Sequence, residues 1–166
     1  MACAFLLLSV VLPGADNALS GRRAPGFSLP DRDFKRYDLQ DYRGKVLLIE
    51  LLRTDCPHCR LLSKMLEKVK AKYGDKLAIL GVALPNDTLD TVARYIKDNA
   101  ITVPIVFDMG QMAASYFNAT PQKPSIHFPH VFVIDKQGMI RKDFEERSPA
   151  IDSEEALLKE LGPLLR

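Results

Sequence analysis

The sequence predicts an α/β domain with a mixed central sheet covered by helices on both faces. Three observations carry this. Apolar runs at residues 46–52, 77–84, 103–107 and 131–135 read as buried strands. Segments of helical period follow the first two runs, so the first three strands pair in parallel through right-handed crossovers. Lys136-Gln137-Gly138 then turns the chain into a last strand, 139–144, antiparallel to its predecessor.

In chain order, residues 2–12 form an apolar run followed by Pro13-Gly14-Ala15. The run is too short to span a bilayer, which takes about 20 apolar residues, but has the length of a signal-peptide core. No Lys or Arg precedes it, and Cys3 lies within it. Residues 1–20 are therefore expected to be a signal, an anchor or an N-terminal tail, and residues 21–166 one domain exported from the cytoplasm. Residues 27–29 and 37–39 flank the turn-like Pro30-Asp31-Arg32-Asp33 and predict a hairpin. After the strand at 46–52, Leu61, Leu62, Met65, Leu66, Val69 and Tyr73 recur at helical spacing until Gly74. Residues 88–99 present Leu89, Val92, Ala93 and Ile96 on one helical face, and 111–117 make a short helix. A looser stretch with Pro121 and Pro124 leads to Phe128-Pro129-His130. Ser153, followed by the first-turn acids Glu154 and Glu155, opens a C-terminal helix.

Composition excludes several classes. With 166 residues, 47% hydrophobic and 27% charged, the chain suits one globular core rather than a disordered segment. A net charge of +2 with scattered basic residues offers no nucleic-acid footprint. Three cysteines, two of them at C-x-x-C spacing, suit local redox chemistry or half of a metal site rather than a disulfide framework.

The chemistry centres on Cys56-Pro57-His58-Cys59, where a buried strand hands over to a helix. The unpaired amides and positive dipole of the helix start favour a thiolate at Cys56, which makes it the expected nucleophile. Cys59, one turn further in, is the expected resolving thiol. Pro57 suits the first helical position. His58 is expected to tune the couple, since an imidazolium beside a thiolate stabilises the reduced form. Glu50 is an acid in an otherwise apolar strand. Burial would raise its pKa toward neutrality, where it can take the proton of Cys59; the plainer alternative is an edge position or a pairing with Lys76. Pro129 cannot donate to a sheet ladder and so belongs at a strand's start or edge.

Across roughly residues 23–144, the chain resembles the thioredoxin superfamily, and within it the TlpA/ResA-like extracytoplasmic branch. The likeness rests on Ala24-Pro25-Gly26-Phe27-Ser28-Leu29-Pro30-Asp31, on Leu39-Gln40-Asp41-Tyr42-Arg43-Gly44-Lys45-Val46, on the dithiol motif, and on Pro129-His130-Val131-Phe132-Val133-Ile134-Asp135-Lys136-Gln137-Gly138. The resemblance implies a thioredoxin-like fold with an N-terminal hairpin and a mid-domain βα insertion over residues 88–107. It implies protein thiol–disulfide exchange with the Cys56–Cys59 disulfide as the redox group and no other cofactor or metal. Pro129 would be a cis-proline facing the disulfide, forming with Pro57 and Phe128 a surface for the substrate chain, and Glu50 would match the buried acid of thioredoxin. The implied partners are protein thiols and disulfides and a membrane or extracytoplasmic redox protein, with the chain a monomer.

Some residues depart from the pattern. Asp55 replaces the tryptophan that precedes the first cysteine, and an acid there opposes thiolate formation. Pro57-His58 resembles the dipeptide of strongly oxidising disulfide donors, whereas the branch is richer in reductases, so the direction of electron flow is open. Two other functions compete. A copper chaperone would use Cys56, Cys59 and either His127 or His130, although both histidines read first as loop or surface residues. A peroxiredoxin-like peroxidase shares the Ala-Pro-x-Phe start but places threonine and proline differently ahead of its cysteine.

Overall fold

The computed structural model describes residues 19–122 and 126–166. Cys3, the apolar run at 2–12 and Pro124 lie outside them. The chain opens with a hairpin of β1 (Ser28–Pro30) and β2 (Arg36–Asp38), as the turn residues predict. Asp31 closes its turn by accepting the backbone N–H groups of Asp33 and Lys35. The main sheet contains β3 (Val46–Leu52), β4 (Leu77–Ala83), β5 (Ile105–Phe107), β6 (His130–Ile134) and β7 (Ile140–Phe144), in the order β5-β4-β3-β6-β7. β3, β4 and β5 run parallel, and β6 and β7 are antiparallel to their inner neighbours. The helices are α1 (Pro57–Tyr73), α2 (Leu89–Asn99), α3 (Gln111–Phe117) and α4 (Glu154–Leu161).

β3 is central and buried along its whole length, which is why its sequence is a continuous apolar run and does not alternate. Its Val46, Leu48 and Leu52 join residues of α1, α2 and α4 in one core. Leu47, Ile49 and Leu51 face the opposite core with α3 and the N-terminal hairpin. Helices thus cover both faces, as expected.

The pattern shifts at three places. β5 starts at Ile105 because Pro104 has no N–H to give a ladder; its carbonyl accepts from Gly81 instead. Leu61 is 68% exposed, and the buried stripe of α1 runs Cys59, Leu62, Ser63, Leu66 and Val69. On α2 the buried residues are Val92 and Tyr95, while Leu89, in the first turn, is exposed. Both outer strands meet further chain. Asp31 bridges Val106 on β5. Beside β7, Arg23 bridges Met139, and the backbones of Gly21 and Arg22 bond Ile140.

Candidate active site

The dithiol lies where β3 ends and α1 begins. Cys56, in extended conformation, is the N-cap of α1, and Pro57 occupies the first helical position, where its fixed φ is helical and no amide is missed. Cys56 Sγ accepts the backbone N–H of Cys59 at 3.1 Å, so the sulfur faces the unpaired amides of the helix start. Both cysteines are free thiols, Cys56 half-buried and Cys59 fully buried. Burial above all, then its hydrogen bond to Cys56 and the charges of Cys56 and Glu50, push the Cys59 thiol well above its ordinary range. Cys59 therefore holds its proton until a base takes it. Cys56 is the sulfur that a partner can reach.

The approach to Cys56 is braced from the loop that leads into α2. The Thr54 N–H donates to Asp87 at 3.2 Å, the Thr54 hydroxyl donates to the same carboxylate, and the Thr91 hydroxyl reaches it at 3.4 Å. Asp55 pairs with Arg53 at 2.5 Å. The acid that sequence alone sets against a thiolate is thus offset by an adjacent guanidinium.

Glu50 is neither at an edge nor beside Lys76. It stands in β3 opposite Gly81 of β4 and Val131 of β6, on the face toward α1, and is 2% exposed. The Ser63 hydroxyl donates to its Oε2 at 2.8 Å, and the Tyr95 hydroxyl lies 2.8 Å from Ser63 Oγ. Oε1 is buried without a hydrogen-bond partner among the described residues. Burial raises the carboxyl from 4.5 to about 8, against the lowering effect of the Ser63 hydrogen bond. A carboxyl in that range can both accept and return a proton near neutral pH.

His58 is exposed, and its Nδ1 lies 2.8 Å from Oε1 of Glu146 in the connection after β7. The Phe128–Pro129 peptide bond is cis, and Phe128 packs against both cores. A surface groove lined by His58, Leu61, Met65, Pro129, Glu146 and Asp152 brings the histidine of the motif together with the cis-proline. His127 is exposed, whereas His130 is buried, contrary to the loop or surface position expected for it. The His130 ring packs against Phe117 and Phe132, with its Nε2 3.6 Å from Asp143. Among the described residues no three His, Cys, Asp or Glu side chains form a group that could hold a metal.

Sequence reasoning missed Ser63, Tyr95, Asp87 and Glu146. Ser63 had a signal, being a hydroxyl within the apolar stripe of α1, four residues after Cys59. Asp87 and Glu146 had none, because each meets its partner only through the tertiary fold.

A central mixed sheet with a C-x-x-C dithiol capping α1 and a cis-proline ahead of β6 defines a protein of thioredoxin-like fold. The chain belongs to the AhpC/TSA family, whose profile matches residues 20–143, and to the TlpA/ResA-like group of the thioredoxin superfamily. It is 29% identical over 123 residues to the thioredoxin-like protein YneN of Bacillus subtilis, covering 73% of this chain and 68% of that one. It is 26% identical over 140 residues to the thiol-disulfide oxidoreductase ResA of Bacillus thuringiensis, covering 84% and 77%. The structure of a thiol:disulfide interchange protein from Chlorobium tepidum shares the fold, with a TM-score of 0.74 at 21% identity over 87% of this chain and 97% of that one.

Proposed function

We infer that the chain is a thiol-disulfide oxidoreductase that exchanges disulfides with protein partners through Cys56 and Cys59. The observation that carries this is the placing of the two sulfurs: one half-exposed at a helix N-terminus, the other buried one turn behind it, within the field of an acid. In the reducing direction the Cys56 thiolate attacks a partner disulfide. A Cys56–partner disulfide forms, and the partner's other sulfur leaves as a thiolate. Glu50 takes the Cys59 proton, and the Cys59 thiolate attacks Cys56 Sγ. The internal disulfide forms, the partner departs with both sulfurs reduced, and Glu50 later returns its proton to bulk water. The oxidising direction is the same path reversed.

The groove at His58 and Pro129 supports an extended partner segment beside the dithiol, with Pro57 and Phe128 next to these two residues in the chain. The close pairing of the sulfurs favours dithiol exchange over peroxidase chemistry, and the burial of His130 removes one third ligand that a copper chaperone would need. The apolar run at 2–12 supports work outside the cytoplasm, with an extracytoplasmic or membrane redox protein resetting the pair. No described helix is long and apolar enough to cross a membrane.

The test is insulin reduction by the wild type and two variants. Cys56→Ser should abolish turnover, and Cys59→Ser should accumulate mixed disulfides visible on a non-reducing gel. An unaltered rate in the Cys56 variant would overturn the mechanism.

A further inference from the structure

Ser63 and Tyr95 form a hydroxyl chain that ends on the buried acid. Three elements meet there: β3 supplies Glu50, α1 supplies Ser63 and α2 supplies Tyr95, and all three residues are at most 4% exposed. A serine in the buried stripe of α1 needs a partner, because an unbonded buried hydroxyl is costly. Its partner is one oxygen of Glu50. The other oxygen, Oε1, is buried and makes no hydrogen bond among the described residues. The two oxygens of one carboxylate thus have different surroundings, one tied and one bare.

We propose that Ser63 and Tyr95 are positioning residues for the resolving step, holding Oε2 of Glu50 so that Oε1 is presented as the acceptor of the Cys59 proton. The inference rests on the thiol-disulfide reading above and deepens it. The charged state of Glu50 orders the chain: Tyr95 O–H donates to Ser63 Oγ, and Ser63 O–H donates to Oε2. When the Cys59 proton arrives, the S–H bond breaks, an O–H bond forms at Oε1, and the negative charge moves from the carboxylate to the Cys59 sulfur. The hydroxyl chain stabilises Glu50 most in its charged form, since hydrogen bonds to ionised groups are the stronger ones. It therefore keeps the acid usable as a base near neutral pH in a site whose burial opposes charge. The titratable groups facing Glu50 are Cys59 of α1 and Tyr95 of α2, and Cys56, the N-cap of α1, acts on both of them. Its strand neighbours Gly81 and Val131 carry none.

The experiment compares wild type, Ser63→Ala, Ser63→Thr and Tyr95→Phe. Single-turnover release of a labelled peptide from its mixed disulfide with Cys56 is followed from pH 5 to 10. The infrared band of the protonated Glu50 carboxyl is titrated in parallel, with Glu50→Gln identifying the band. Ser63→Ala should move both midpoints upward by about one pH unit, slowing release at pH 7 about tenfold, with the rate regained at high pH. Tyr95→Phe should move them less and in the same sense, and Ser63→Thr, which keeps the hydroxyl, should restore wild-type midpoints. The first attack, measured in a Cys59→Ser background, should not respond to any of these changes. Unchanged midpoints in a folded Ser63→Ala protein would overturn the inference alone. A wild type that exchanges no disulfide would overturn the proposed function and this inference with it.

Discussion

His58 and Glu146 stand 88 residues apart in the chain and meet at 2.8 Å. The contact ties the Pro57-His58 dipeptide of the motif to the connection between β7 and α4, and it sets an acid at the rim of the groove that contains Pro129. A redox couple flanked by a histidine can be shifted by the charge of that ring, at about 30 mV for each 1.4 kcal/mol of preference between the oxidised and reduced forms.

His58→Gln should therefore make the couple more reducing, by on the order of 30 mV. Glu146→Gln introduced into the His58→Gln protein should change little further, because the carboxylate acts through the ring it holds. Equilibrium titration of the dithiol against glutathione measures both. A shift to a more oxidising potential in His58→Gln would contradict the assigned influence of the ring.

Glu50 should leave a signature in stability. Its carboxyl titrates at about 8 in the folded chain against 4.5 when free, so between those values the folded state holds a proton that the unfolded state has lost. The associated stability is fully present below about pH 4.5 and is lost as pH rises toward about 8. For a fully buried group the loss amounts to a few kcal/mol. Urea unfolding at pH 5 and pH 8.5 should show it, and Glu50→Gln should flatten the difference. A Glu50→Gln protein with the wild-type pH slope would place the titration elsewhere.

Asp87→Ala should loosen the segment ahead of Cys56. It removes the acceptor of the Thr54 N–H and hydroxyl and a contact of Thr91. A loss of about 1–3 kcal/mol is expected on unfolding, with slower mixed-disulfide formation and no change in the residues that carry the electrons. Thiol alkylation rates at Cys56 together with thermal melts would report both effects.

The fold was legible because its strands are buried on both faces or alternate with helices of clear period. β3 reads as a central strand from seven consecutive residues, and the start of α1 reads from Pro57 and the capping cysteine. Period alone misled where a helix meets something other than the sheet. Leu61 fits an apolar stripe by spacing yet faces out, while Ser63, polar by type, lies inside because Glu50 and Tyr95 await it. His130 reads as a loop or surface histidine from the usual distribution of that residue, but the ladder with Leu51 draws it into the sheet and between aromatic rings. The tertiary partners Glu146 and Asp87 were invisible for a simpler reason. An acid in a loop looks the same whether it meets water or a distant histidine.

The rims of the main sheet have a consequence for recognition. Val106 on one side is already bridged by Asp31, and Ile140 on the other is bonded by the strip at Gly21 and Arg22. A client polypeptide therefore cannot dock by β-augmentation at these positions, and neighbouring copies cannot template on them into fibrils. Selectivity is left to side chains at one end of the molecule, where a client must offer a sulfur as well as a shape.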